Sequence, residues 1–278
     1  MELINIIKPV LILGGIGLVF GSLLSIASKI FAVELDQNVE KLLRVLPGAN
    51  CGACGYPGCE GLAKALSEGK AEPNACVVGG QKVANAVSEI LGVNAGEFEK
   101  KVAVVLCQGD CEKAKEKYIY QGLEDCRVQT TLADGKKECS FGCLGCGTCF
   151  DVCAFDAITI VNGIAIIDRE KCTACKKCIE VCPKHIIELV PYDNKAIVKC
   201  KSEDPGKLVR NYCQIGCIGC KICVKNCPED AFTFENNLAK IDYDKCTNCM
   251  VCVEKCPTKS IVDATKQDLL IESNIIAS

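Results

Sequence analysis

The sequence contains no tryptophan, and phenylalanine and tyrosine together make up only 5% of its 278 residues. This composition excludes a core built mainly on large aromatic rings, which dominate many protein interiors. No G-x-G-x-x-G segment follows a predicted strand, so a nicotinamide or flavin cofactor held in a Rossmann unit is not supported. The chain must draw its stability and its chemistry from another source.

Histidine is almost absent as well. His185 is the only one, and it follows Cys182-Pro183-Lys184. We interpret it as a surface residue beside a metal site rather than a ligand or a proton relay. No group of side chains predicts acid–base or nucleophilic catalysis. The net charge of −3 argues against nucleic acid as a partner.

Charged residues are missing from Pro9 to Ser28. As a helix, this stretch would be about 30 Å long, enough for one bilayer core. A cleaved signal peptide is the alternative. We favour a retained anchor over residues 6–30, because export before metal assembly would expose the later cysteines to oxidation. Lys29, Lys41 and Arg44 follow the span and only Lys8 precedes it, which favours a cytoplasmic C-terminal part.

Small residues form a stripe within this span. Gly14, Gly17 and Gly21 fall on one helix face. Small residues at this spacing allow a second membrane helix to approach closely. The stripe predicts packing against partner membrane helices, and a lone anchor with incidental glycines is the alternative.

Cysteine is abundant, with 26 residues. Such abundance can indicate a secreted disulfide scaffold. It can also indicate metal sites, whose thiolates must stay reduced until the metal arrives, as they do in the cytosol. In the second case, metal binding supplies folding free energy that a small core cannot.

Four cysteine runs share the pattern C-x2-C-x2-C-x3-C. Bacterial ferredoxins with two [4Fe–4S] clusters use such runs in pairs, and the fourth cysteine of each run binds the cluster of the other. A structural zinc site has no use for a third cysteine at this interval, so the pattern favours iron–sulfur over zinc. The rule predicts four ligand sets: Cys143, Cys146, Cys149 and Cys182; Cys153, Cys172, Cys175 and Cys178; Cys217, Cys220, Cys223 and Cys256; and Cys227, Cys246, Cys249 and Cys252.

The two pairs of runs are related by a constant offset of 74 residues, so the chain carries two copies of one unit. Ala154 stands where the other three runs have Pro183, Pro228 and Pro257. Proline at that position turns the chain away from the cluster, so we expect its loss to be a local change that removes no ligand.

A different cysteine pattern precedes these units. The box C-G-A-C-G-Y-P-G-C supplies Cys51, Cys54 and Cys59, and Cys76 follows an apolar helix predicted around residues 62–66. Four cysteines that bracket one helix predict a closed four-sulfur site. The spacing alone leaves both an iron–sulfur cluster and zinc open.

Short stretches between the runs predict β-hairpins. Asn162-Gly163 joins residues 157–161 to 164–168, and Asn-Gly suits a type I′ turn. Asn236-Asn237 is its counterpart in the second copy, and residues 186–190 and 195–199 flank Asp193-Asn194 between the copies.

We therefore predict an α+β fold with an N-terminal transmembrane helix, a small helical cluster domain and two tandem ferredoxin-like modules with short hairpins. The predicted divisions are an anchor at 1–32, a box domain at 33–95 that opens with an amphipathic helix at 33–46, a connecting region at 96–138, the first module at 139–190, a linker at 191–212, the second module at 213–264 and a tail at 265–278.

Six cysteines remain after five clusters: Cys107, Cys111, Cys126, Cys139, Cys200 and Cys213. They can be small buried hydrophobic residues. However, Cys126 and Cys139 recur 74 residues later as Cys200 and Cys213, which suggests the same place before each module. We therefore predict a sixth cluster on Cys107, Cys111 and Cys126, with Cys139 or Cys200 as its fourth ligand. Cys139 is also an alternative to Cys146.

The anchor, the box with its distant fourth cysteine and the tandem ferredoxin units together resemble the B subunits of the Rnf complexes, over essentially the whole chain. The resemblance implies a membrane complex that couples electron transfer from reduced ferredoxin to NAD⁺ with export of Na⁺ or H⁺. It also implies a [4Fe–4S] cluster in the box, flavin-binding and membrane subunits as partners, and a cell-membrane location. This chain has two ferredoxin modules, as the longer clostridial-type forms do.

Two alternative functions remain at this stage. The chain could be a polyferredoxin or a cluster subunit of a hydrogenase or dehydrogenase, which the uncharged N-terminal span disfavours. It could also be a structural zinc protein, which the cysteine runs disfavour.

Overall fold

The structure is a computed structural model that describes residues 2–30 and 37–265, without the side chains of residues 2–10, 12, 29 and 30. The start of the helix predicted at 33–46 and nearly all of the tail predicted at 265–278 lie outside the described residues. Helix α1 spans Glu2–Ile30, and its described side chains are almost all exposed. Across the part of the chain that the structure describes, no helix is both long and apolar enough to cross a membrane.

Three helices form the domain that carries the cysteine box: α2 (Gln37–Val45), α3 (Gly58–Ser67) and α4 (Gly80–Leu91). They pack around Leu42, Leu62 and Val87, which are at most 1% exposed. Each such side chain contributes about 1.5–3 kcal/mol by leaving water. Cys76 belongs to the same cluster, so a site cysteine is part of this core.

Two of the predicted hairpins are confirmed. Strands β2 (Ile158–Val161) and β3 (Ile164–Ile167) pair antiparallel, as do β6 (Phe232–Glu235) and β7 (Leu238–Ile241). Both central residues of each turn have positive φ, at 47° and 72° for Asn162-Gly163 and at 47° and 63° for Asn236-Asn237. This geometry defines a type I′ turn, so local turn chemistry decided both hairpins.

The third predicted hairpin, between residues 186–190 and 195–199, is wrong. Strand β4 (Ile187–Pro191) pairs antiparallel with β1 (Lys101–Val105), and β5 (Ala196–Val198) pairs with β8 (Ile261–Asp263). Four of the five residues of β1 are buried, and Val102 lies opposite Val190. Burial of this distant apolar strand outweighs the local turn at Asp193-Asn194.

The β1–β4 and β5–β8 sheets share one small core, made of Val102, Val104, Val190, Ile197 and Ala264. The regions predicted as connectors at 96–138 and 191–212 therefore each contribute a strand to the body formed by both modules. They also contain two short helices, α5 (Cys126–Thr130) and α8 (Gly206–Tyr212).

Each cysteine run is followed by the same tight turn. In each turn, the third residue after the last cysteine of the run has a positive φ. These residues are Asp156, His185, Asp230 and Lys259, with φ between 46° and 55°. The turn after Ala154 is therefore the same as those after the prolines, in agreement with the expected local effect.

Candidate metal centres

Each of the four cysteine runs contains a short helix, and all four helices begin in the same way. Helices α6 (Thr148–Asp151), α7 (Lys177–Val181), α9 (Ile222–Lys225) and α10 (Val251–Lys255) each begin after a left-handed residue. That residue directly follows the second cysteine of the run, and its φ lies between 58° and 86°. The turn bends the backbone around the space between the cysteines. Successive N–H groups in such turns point into the enclosed space.

Three cavities collect the cysteines of these runs in the crossed manner. One of about 370 Å³ is lined by Cys217, Cys220, Cys223 and Cys256. A second, of about 340 Å³, is lined by Cys153, Cys172, Cys175 and Cys178. A third, of about 350 Å³, is lined by Cys143, Cys149 and Cys182 together with Cys126. In each cavity, one cysteine comes from the partner run.

The cysteines of the two other predicted sets also lie close together. In the box domain, Cys51, Cys54 and Cys59 lie close enough to Cys76 to act electrostatically on its thiol. In the second module, Cys246 and Cys249 lie close enough to Cys252 to act electrostatically on its thiol. The Cys227 sulfur accepts a hydrogen bond of 3.4 Å from the amide of Ala231.

The first-module cavity is lined by one cysteine that lies outside the predicted ligand set. Cys126, at the start of α5, lines it with Cys143, Cys149 and Cys182, whereas Cys146 is not among its described lining residues. A side-chain hydrogen bond joins the two thiols and lowers the pKa of Cys126. The amide of Cys126 also donates to Thr148 Oγ1 at 2.8 Å, which fixes α5 against α6. The fold thus brings Cys126 beside Cys146 at the first-module cavity, a neighbour that the spacing had not predicted.

A fourth cavity, of about 420 Å³, lies between the modules and is lined by four cysteines outside the runs, Cys107, Cys139, Cys200 and Cys213. We call it the central cavity. This lining differs from the predicted grouping of Cys107 with Cys111 and Cys126. Cys111 is exposed and its amide donates to Asn162 O, while Cys126 lines the first-module cavity.

The sequence offered a misleading signal for this cavity. Cys126 and Cys200 share the offset of 74 residues, but Cys126 begins a helix and Cys200 follows strand β5. The structural counterpart of Cys200 is Cys107, which follows strand β1. The first module has the longer connection between its strand and its first run, so the equal spacing is a coincidence. The position of a cysteine shortly after a paired strand would have predicted this grouping better than the equal offset did.

Burial works against the thiolate form of many of these cysteines. It raises the pKa of Cys143 to about 11, and those of Cys149, Cys178 and Cys223 to about 12. Neighbouring cysteines add to the shift. Thiolates gathered this closely need a cation to offset their repulsion and their loss of solvent, and metal ligation provides it.

The arrangement fits a four-iron cube. Among the residues that the structure describes, no three or more His, Cys, Asp or Glu side chains are placed to hold a metal ion. Instead, four sets of four cysteines each line a common cavity. Backbone amides donate to site sulfurs as well, as Ala103 does to Cys172 at 3.3 Å. Such bonds are the usual outer contacts of iron–sulfur clusters.

Comparisons with known proteins agree with this chemistry. Residues 46–78 match a family model for an Fe–S cluster, and residues 142–186 and 216–260 match the model of the 4Fe-4S dicluster domain. The chain is 51% identical over 242 residues to the B subunit of the Na⁺-translocating ferredoxin:NAD⁺ oxidoreductase complex of Acetobacterium woodii, covering 87% of this chain and 73% of the relative.

Two other relatives are similar over most of their length. The B subunit of the proton-translocating ferredoxin:NAD⁺ oxidoreductase complex of Clostridium ljungdahlii is 41% identical, covering 87% of this chain and 86% of the relative. The B subunit of the ion-translocating oxidoreductase complex of Methanosarcina acetivorans is 40% identical, covering 87% of this chain and 92% of the relative.

Proposed function

Because this chain belongs to the B-subunit family of the ion-translocating ferredoxin:NAD⁺ oxidoreductase complexes, known as Rnf complexes, we propose that it passes electrons from reduced ferredoxin towards NAD⁺ within such a complex. It is an iron–sulfur electron-transfer subunit, and the translocation of Na⁺ or H⁺ belongs to the assembled complex. The observation that carries the proposal is the set of cavities lined by crossed cysteines.

Bound [4Fe–4S] clusters supply one-electron transfer, at potentials that range from about −700 to +450 mV depending on their surroundings. The chain's own residues supply those surroundings. The left-handed turns bend the backbone around each set of cysteines, and the amide of Ala103 donates directly to the Cys172 sulfur. Apolar side chains such as Val105 and Ile187 line the first-module cavity and limit the access of water.

We assign five clusters to this chain. Four follow the sequence: Cys51, Cys54, Cys59 and Cys76; Cys153, Cys172, Cys175 and Cys178; Cys217, Cys220, Cys223 and Cys256; and Cys227, Cys246, Cys249 and Cys252. For the first-module cluster, the lining of its cavity supports Cys126 in place of Cys146, beside Cys143, Cys149 and Cys182.

Anaerobic reduction by ferredoxin tests the relay. The complex is purified without oxygen, mixed with chemically reduced ferredoxin and frozen for electron paramagnetic resonance before NAD⁺ is added. We expect signals of reduced [4Fe–4S] clusters from this subunit, and we expect NAD⁺ to reoxidise them. A subunit that contains zinc and no iron, or iron–sulfur clusters that ferredoxin leaves oxidised, would contradict the proposal.

We further propose that α1 anchors the chain in the membrane and packs on partner subunits. The absence of charge from Pro9 to Ser28 supports the anchor. Nothing lies within 4 Å of where a side chain would start at Gly14, Gly17 or Gly21, so this face is free to meet another helix.

The packing claim predicts that Gly17→Leu with Gly21→Leu weakens copurification with the membrane subunits, because the larger side chains hold the helices apart. Leu11→Ala with Leu18→Ala is the matched control, since it changes the same helix without filling the stripe. The double glycine variant should remain in membranes after alkaline washing. Unchanged assembly would refute the packing, and release of the wild-type chain by alkaline washing would refute the anchor.

A further inference from the structure

The central cavity has the lining of a metal site, although its cysteines lie outside all residues matched by the iron–sulfur family models. Its volume of about 420 Å³ is close to the 340–370 Å³ of the three cavities lined by cysteines of the ferredoxin runs. Those cavities serve as an internal standard for the space that four cysteines enclose in this fold. The central cavity meets that standard in both size and cysteine number.

Each module contributes the same two positions to the cavity. Cys107 and Cys200 follow strands β1 and β5, and Cys139 and Cys213 each precede the first run of their module by four residues. The segments are also joined across the modules, because the amide of Lys115 donates to Tyr212 O and that of Gln214 donates to Lys113 O. The four cysteines therefore meet only when both modules have folded against each other.

Backbone amides lie beside all four sulfurs, in positions that repeat between the modules. The amide of Cys143 donates a hydrogen bond of 3.4 Å to the Cys107 sulfur. Burial raises the pKa of the Cys200, Cys139 and Cys213 thiols, and the nearby amides of Cys217, Phe141 and Ile215 oppose that rise. Amides beside the sulfurs are common around cluster ligands.

The surroundings of the cavity also suit a negatively charged group. Lys137 lines it, is completely buried, and donates from Nζ to Gly109 O at 2.6 Å and Gly163 O at 3.1 Å. Within the part of the chain that the structure describes, no carboxylate pairs with this buried ammonium, and four thiolates around a cluster would provide its counter-charge.

We propose that Cys107, Cys139, Cys200 and Cys213 bind a sixth iron–sulfur cluster between the two ferredoxin modules. This inference rests on the proposed function, because it assumes a chain that is loaded with clusters. Cys107 contacts the amide of Cys143 and Cys200 contacts that of Cys217, so the site adjoins the first run of each module. A cluster here joins the two modules into one path for electrons.

Counting iron in the anaerobically purified full-length chain tests the site. At four irons per cube, we expect about 24 irons, and about 20 in a Cys107→Ser, Cys213→Ser double variant. Cys111→Ser is the matched control, since Cys111 is an exposed cysteine on the same loop that does not line the cavity. The control should keep the wild-type count. Native mass spectrometry gives the number of intact clusters independently of the iron assay.

The outcomes separate the two proposals. A wild-type count near 20 irons, or near 20 irons with one zinc, overturns the sixth cluster and leaves the proposed function intact. A chain without iron overturns both. If the double variant fails to fold, the wild-type count and its native mass still decide the question.

Discussion

Removal of iron from the full-length chain is expected to unfold residues 96–265. The strands in this part form four sheets of only two strands each, and a two-stranded sheet is marginal on its own. Cysteines belong to the largest cores, such as the one that combines Cys143 and Cys178 with Ile158 and Ile186. Structural metal sites contribute about 10–16 kcal/mol in small zinc domains, which is comparable to the whole stability of a typical protein.

The measurement is circular dichroism under anaerobic conditions, during treatment with a ferrous-iron chelator. We expect the strand signal to disappear and the region to become sensitive to proteases as iron is lost. Chelator saturated with iron beforehand is the control for direct effects of the reagent. An iron-free chain that keeps its spectrum and a cooperative thermal transition would show that the polypeptide cores suffice.

The second large effect concerns the first-module cluster. Cys126→Ser is expected to remove one cluster, or about four irons, whereas Cys146→Ser is expected to leave the iron count unchanged. The reason is that Cys126 lines the cavity with Cys143, Cys149 and Cys182. Serine is a poor ligand for iron at this position because its hydroxyl stays protonated near neutral pH, whereas cysteine binds as the thiolate.

Cys220→Ser is the matched control, because Cys220 holds the same place in its run as Cys146 and does line its cavity. It should therefore lose a cluster where Cys146→Ser does not. Iron analysis and electron paramagnetic resonance of the reduced variants provide the readout. Loss of the cluster in Cys146→Ser with retention in Cys126→Ser would restore the ligand set that the spacing predicts, and retention in both would show that the two thiols exchange.

Local spacing was sufficient for much of this chain. Three cysteines within seven residues can surround one cube whatever the rest of the fold does. The spacing therefore predicts which paired runs contribute cysteines to one cavity, as in the cavity lined by Cys217, Cys220, Cys223 and Cys256. The hairpins at Asn162-Gly163 and Asn236-Asn237 were equally local, because both turns require positive φ at two adjacent residues. The membrane span from Pro9 to Ser28 stays a prediction from the absence of charge.

Only the tertiary structure decided which distant segments meet. The pairing of β4 with β1, rather than with its neighbour β5, follows from burial of Val102 against Val190, and no local signal at Asp193-Asn194 reveals it. That pairing places Cys107 opposite Cys200, and the equal offset of Cys126 had pointed elsewhere. Ligands within one run are fixed by the covalent chain, whereas ligands from separate segments are fixed by the packing that brings their strands together.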